Sequence, residues 1–114
     1  MHKPKITNTV EKILSLLVDK NYSQLGAMTQ GQQFLPEDIK GAIDDYGYTI
    51  IHPPKLLEVL DVIQVKDKVP ATYSVRVDLW TKEEGRSDLS LELTLIDIEE
   101  SDLCTVEIDD LHVL

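Results

Sequence analysis

From Thr72 onward the chain alternates. Tyr73, Val75, Val77 and Leu79 are apolar, and Thr72, Ser74, Arg76 and Asp78 between them are polar. After a charged turn, Leu89, Leu91, Leu93 and Leu95 alternate with Asp88, Ser90, Glu92 and Thr94. A period of two puts successive side chains on opposite faces of a sheet. Both runs therefore predict strands with one greasy and one wet face. A third run, Leu103 to Leu114, breaks its own rhythm: Cys104, Val106 and Ile108 share one parity, Leu111 and Val113 the other. A one-residue slip flips the faces of a strand, so the spacing predicts a bulge or bend at Asp109-Asp110. Together the three runs predict an antiparallel meander whose apolar face needs a cover.

The cover lies upstream. Ile6, Val10, Ile13, Leu14 and Leu17 form one stripe of an amphipathic helix. It starts near Pro4, as a first-turn proline, or near Asn8, which with Glu11 resembles a capping box. It ends around Asp19 to Asn21. Tyr22 to Met28 predicts a short second helix, and Thr29 to Gln33 a polar loop. Pro36 to Tyr46 predicts a third helix, with Glu37 and Asp38 at its positive end and Gly47 as its stop. Tyr48 to Ile51 reads as a short extended run ended by Pro53-Pro54. Leu56 to Val65 reads as a strand bent by a bulge. Helices followed by strands predict an α+β domain, 1–114, with the helical part over about 4–47 and the sheet over 48–114. The N-terminal helices pack on one face of the antiparallel sheet.

That order, with the Lys20-Asn21-Tyr22 step between the first two helices, resembles the cone-shaped fold of the NTF2-like and cystatin-like groups. The resemblance implies a curved sheet. Asp78 to Thr94 (DLWTKEEGRSDLSLELT) and the tail Glu107 to Leu114 (EIDDLHVL) resemble a small bacterial family of uncharacterised domains that includes contact-dependent growth-inhibition immunity proteins. That resemblance implies a protein partner rather than a reaction.

Bulk composition narrows the classes. Apolar residues make up 42% of 114, enough for a core, and no apolar run approaches the roughly 18 residues of a membrane span. The basic start is followed by a segment broken at Glu11 and Lys12, unlike a secretory signal. A lone cysteine, Cys104, excludes an intramolecular disulfide framework and fits a buried thiol in the cytoplasm. The formal net charge is −10, and all of it falls after Val77. The first 77 residues balance nine acids with nine bases, whereas Asp78 to Leu114 holds twelve acids against Lys82 and Arg86. Such a surface repels nucleic acid and anionic membranes and attracts a basic partner.

No glycine-rich phosphate loop, G-x-S-x-G, H-E-x-x-H or cysteine–histidine metal set occurs. His2 is terminal, His52 precedes two prolines, and His112 follows Asp109 and Asp110. Adjacent carboxylates on a regular strand point to opposite faces, which argues against one ion shared by Asp109 and Asp110. Trp80 falls on the wet parity beside the acidic turn, the composition of an interface anchor, unless the strand bulges and folds it onto the core.

Charge and resemblance together predict a non-enzymatic, cytoplasmic immunity protein without a cofactor or metal, monomeric or weakly dimeric. It would neutralise a basic toxin nuclease through Asp78, Trp80, Glu83, Glu84, Asp88, Glu92, Glu107 and Asp109. The alternative is a small-molecule-binding or hydrolase-like cone with a pocket near Asp110 and His112, with Asp78, Arg86 and Asp88 at its rim.

Overall fold

The computed structural model describes residues 4–30 and 35–113. Helix α1 spans Pro4–Val18, so the proline and not Asn8 opens it. Its stripe of Ile6, Val10, Ile13, Leu14 and Leu17 is buried. The helix stops where Lys20 turns left-handed (φ 58°). There the Asn21 N–H donates back to the Leu16 carbonyl at 2.8 Å and the Lys20 N–H to Leu17 at 3.2 Å, which satisfies carbonyls the last turn leaves open. Asn21 then caps α2 (Tyr22–Met28) by accepting from the Gln24 N–H at 3.2 Å. Helix α3 (Pro36–Tyr46) begins with Asp38 accepting from the Leu35 N–H at 2.8 Å and ends at left-handed Gly47.

The strands are β1 (Thr29–Gln30), β2 (Ile50–Ile51), β3 (Leu60–Gln64), β4 (Thr72–Thr81), β5 (Gly85–Ile96) and β6 (Thr105–Val113). β4, β5 and β6 form the antiparallel meander that the alternation predicts. β2 and β3 share the outer edge of β4, and β1 runs parallel to β6 at the other end of the sheet. Two local expectations differ. Leu56–Val59 is a helical turn, α4, rather than the start of a strand; the turn brings Val59 into the core and leaves Leu57 66% exposed. Thr29–Gln30 pairs with β6 instead of forming loop. Residues 31–33 of the expected loop, and His2, lie outside the described residues.

The helices supply the predicted α+β arrangement, but the cone is not formed. The sheet is open: β1 and β2 stand at opposite ends of the strand order and do not pair with each other. Both are two residues long, too short to carry the sheet round into a wall. Among the described residues the inner face of the sheet is packed. Leu79, Leu89, Leu91, Leu93, Leu95 and Val106 meet Ile6, Val10, Ile13 and Leu17 in one filled cluster, each of them at most 2% exposed. The expected NTF2-like or cystatin-like architecture is thus replaced by an open sheet with a packed inner face.

Polar clamps fix α1 against this layer. Thr9, fully buried, donates to the Lys5 carbonyl at 2.7 Å and accepts from the Cys104 N–H at 2.9 Å. Lys5 Nζ donates to Asp97 Oδ1 at 2.6 Å. Much of the outer face of β4–β5–β6 is exposed, including Ser74, Arg76, Asp88, Asp109 and Asp110.

Candidate metal centre

On that outer face the register sets residues in rows. Arg76 pairs with Glu92, and Glu92 with Asp110. One step along, Asp78 pairs with Ser90, and Ser90 with His112. Beyond them Trp80 pairs with Arg86. Directly opposed residues on one face sit about 4.5–5.5 Å apart, so neighbours within a row are in side-chain reach.

The bulge foreseen at Asp109-Asp110 is what builds the site. Leu93 pairs with Ile108 but Glu92 pairs with Asp110, which leaves Asp109 as the extra residue of β6. Both carboxylates consequently reach the outer face. Asp109 Oδ2 accepts from Thr94 Oγ1 at 2.7 Å, and Asp110 lies beside His112. The bulge puts both carboxylates on one face, but Asp109 stays outside the cluster that Asp110 joins.

His112 sits between two carboxylates. Its Nε2 is 3.4 Å from Glu92 Oε2, and its Nδ1 is 3.1 Å from Asp110 Oδ2. The Nδ1 contact lacks the alignment of a hydrogen bond. One ligand atom each from Glu92, Asp110 and His112 lies within 4.8 Å of the others. All three side chains are a third to a half exposed, so an ion here would keep contact with solvent.

Beside this cluster lies a run of unmet polar atoms. Among the described residues, the buried side-chain nitrogens and oxygens without a hydrogen-bond partner are Asp78 Oδ1, Trp80 Nε1, Ser90 Oγ and His112 Nδ1. All four belong to outer-face residues in adjoining rows. An unsatisfied buried polar group costs about 1–3 kcal/mol, so their concentration in one patch calls for an explanation. Asp78 is 8% exposed and gives both of its hydrogen bonds through one oxygen: Oδ2 accepts from Arg86 Nη2 at 2.6 Å and from Nε at 3.1 Å. Ser90 is 0% exposed.

The other nominated residues scatter. Trp80 is half-buried; its ring packs over Gly85, whose φ of 74° turns the hairpin, and against the core cluster. Asp88 is exposed near these rows. Glu107 lies further along β6, accepting from Gln30 Nε2 at 3.2 Å. Glu83 and Glu84, at the hairpin tip, turn toward β2 and α3. Glu83 accepts from the Thr49 N–H at 2.9 Å and its hydroxyl at 3.2 Å, and the Thr49 N–H holds its carboxyl below the usual glutamate range. Glu84 accepts from the Tyr46 hydroxyl at 2.6 Å, which raises the pKa of that phenol. A cavity of about 280 Å³ lies elsewhere, at the ends of α1 and α3, lined by Tyr22, Asp44 and Tyr48 among others. It contains neither Asp110 nor His112.

Sequence reasoning missed Ser90. Its wet-face parity was visible, but its burial depends on the packed neighbours of that face. It also missed the pairing of Glu92 with His112, since cross-strand partners follow only once the bulge position is known.

These features define an open-faced α+β domain with a carboxylate–histidine cluster on its bare sheet. Residues 14–114 match the family described as "Domain of unknown function (DUF7668)", and the chain belongs to that family. The hairpin and tail motifs thus lie in a small uncharacterised domain family, and the NTF2-like and cystatin-like grouping is set aside. No curated protein and no solved structure matches the chain.

Proposed function

We propose that this domain binds a divalent transition-metal ion on the open face of its sheet, with Glu92, Asp110 and His112 as ligands. The convergence of one imidazole and two carboxylates from adjacent strands, with ligand atoms within 4.8 Å, carries this reading. Metal–nitrogen and metal–oxygen bonds of about 2.0–2.2 Å set neighbouring ligand atoms about 3–3.5 Å apart. His112 Nε2 and Glu92 Oε2 already stand at 3.4 Å. Asp110 Oδ2 stands at the other ring nitrogen, 3.1 Å from Nδ1, so its side chain has to swing toward the Nε2 edge to join the same ion. A nitrogen with two oxygens suits zinc, manganese or iron(II) rather than a soft ion. Three protein ligands leave positions open for water or a further ligand.

Calorimetric titration of EDTA-stripped protein with Zn²⁺ and Mn²⁺ tests this. The expected result is one site per chain, weakened at least about tenfold in His112→Ala and in Glu92→Gln, in line with loss of a ligand. A folded-state ligand at a hundredfold excess over Kd stabilises by about 2.7 kcal/mol, so the unfolding midpoint should rise with metal in the parent and rise less in the variants. Equal affinity in all three proteins would overturn the proposal.

A further inference from the structure

We infer that the ion at this site anchors a neutral polyhydroxy ligand, a saccharide, whose hydroxyl groups engage Ser90 Oγ, Asp78 Oδ1 and Trp80 Nε1. This rests on the metal reading above. Asp78, Ser90 and His112 form one row across three neighbouring strands, which spans about 10 Å at two strand spacings. That is the scale of a monosaccharide with its anchor.

The chemistry of the unmet atoms selects the class. The carboxylate oxygen of Asp78 only accepts, the indole nitrogen of Trp80 only donates, and the Ser90 hydroxyl does both. A ligand that meets all three must donate and accept along its length, as hydroxyl groups do. Charge removes the competitors. Glu92 and Asp110 balance the ion and Arg86 pairs with Asp78, so the carboxylates left over on this face, Asp88 and Asp109, disfavour an anion. A cation cannot coordinate the bound dication. Vicinal hydroxyls also coordinate oxygen-preferring divalent ions.

Access requires one movement. Arg86 is the exposed member of its ion pair, 56% against 11% for the Asp78 side chain, so it lies outermost. Its long side chain has to swing aside for a ligand to reach Asp78. The chain contains one tryptophan, so its fluorescence reports on this patch alone.

The experiment is a fluorescence titration of Mn²⁺-loaded protein with glucose, galactose, mannose and xylose, with Mn²⁺ occupancy measured separately by electron spin resonance. At least one sugar is expected to shift Trp80 emission saturably, and EDTA is expected to abolish the shift. Ser90→Ala, read at saturating Mn²⁺, should bind that sugar about tenfold more weakly. Mn²⁺ binding with no response to any sugar overturns the saccharide inference and leaves the metal site standing; the buried atoms are then met by ordered water. Failure of Mn²⁺ to bind removes the metal reading and this inference with it. A sugar response indifferent to EDTA or to Ser90→Ala also overturns it.

Discussion

A single hydroxyl group makes the most economical test at the scale of the residue. Ser90 is 0% exposed, and its Oγ meets no partner. Replacing an unsatisfied buried polar group by an apolar one of similar shape is neutral or stabilising. Ser90→Ala should therefore leave stability unchanged or raise it by up to about 1 kcal/mol, measured by urea unfolding of metal-free protein. A loss above about 1 kcal/mol would mean that the hydroxyl serves the fold. A residue kept at some expense to stability is the mark of a site. Nothing at position 90 announces this in the sequence. Serine on the wet parity of a strand looks like any solvated residue, and only the company of Asp78 and His112 across the register makes it unusual. Trp80 was undecided by sequence for a related reason. It keeps its outer-face parity and yet packs on the core cluster, because the register breaks between Asp78 and Trp80.

At the scale of elements, what was legible tracks local chemistry. Helix α3 follows from Pro36, Asp38 and Gly47, a cap at each end acting within a few residues. β4 and β5 follow from alternation, and the bulge of β6 from its reversal of parity. β1 was not legible: two residues pair in parallel with a strand almost eighty positions away, and no local pattern encodes that. The turn α4 was hidden because Leu56–Val59 is too short to show a helical period. β2 is a two-residue strand held from outside itself, partly by Glu83 through Thr49. This tie is pH-dependent. Glu83 has a lowered pKa in the folded chain, chiefly from the Thr49 N–H. Its contribution is therefore present above the unfolded carboxyl range, about 4.3, and is lost as pH falls through the lower folded value. Thermal unfolding between about pH 5 and pH 3 should show a steeper decline in the parent than in Glu83→Gln. Identical declines would mean that the tie does not contribute.

On the scale of the whole molecule, Asp97 is taken up by Lys5, and the other eleven acids of the last third separate into three places. Glu83 and Glu84 lie at the hairpin tip. Glu99, Glu100 and Asp102 are exposed in the β5–β6 connection. Asp78, Asp88, Glu92, Glu107, Asp109 and Asp110 lie along the bare face of the sheet. A divalent ion is attracted to all three, so selective occupancy depends on geometry rather than charge. Among the described residues, the sheet face combines carboxylates with an imidazole whose ligand atoms lie within 4.8 Å of one another. It can do so because the sheet stays open and, among the described residues, Glu92, Asp110 and His112 keep part of their surface in solvent.

Paramagnetic broadening of amide resonances by substoichiometric Mn²⁺ tests this directly, since the effect falls steeply with distance from the ion. The proposed site predicts that Glu92, Asp110, Leu111 and His112 broaden first, with Ser90 next, while Glu99, Glu100 and Asp102 remain sharp at the same ratio. Broadening that begins in the β5–β6 connection, or that spreads evenly over the acidic residues, would contradict a built metal site on the sheet.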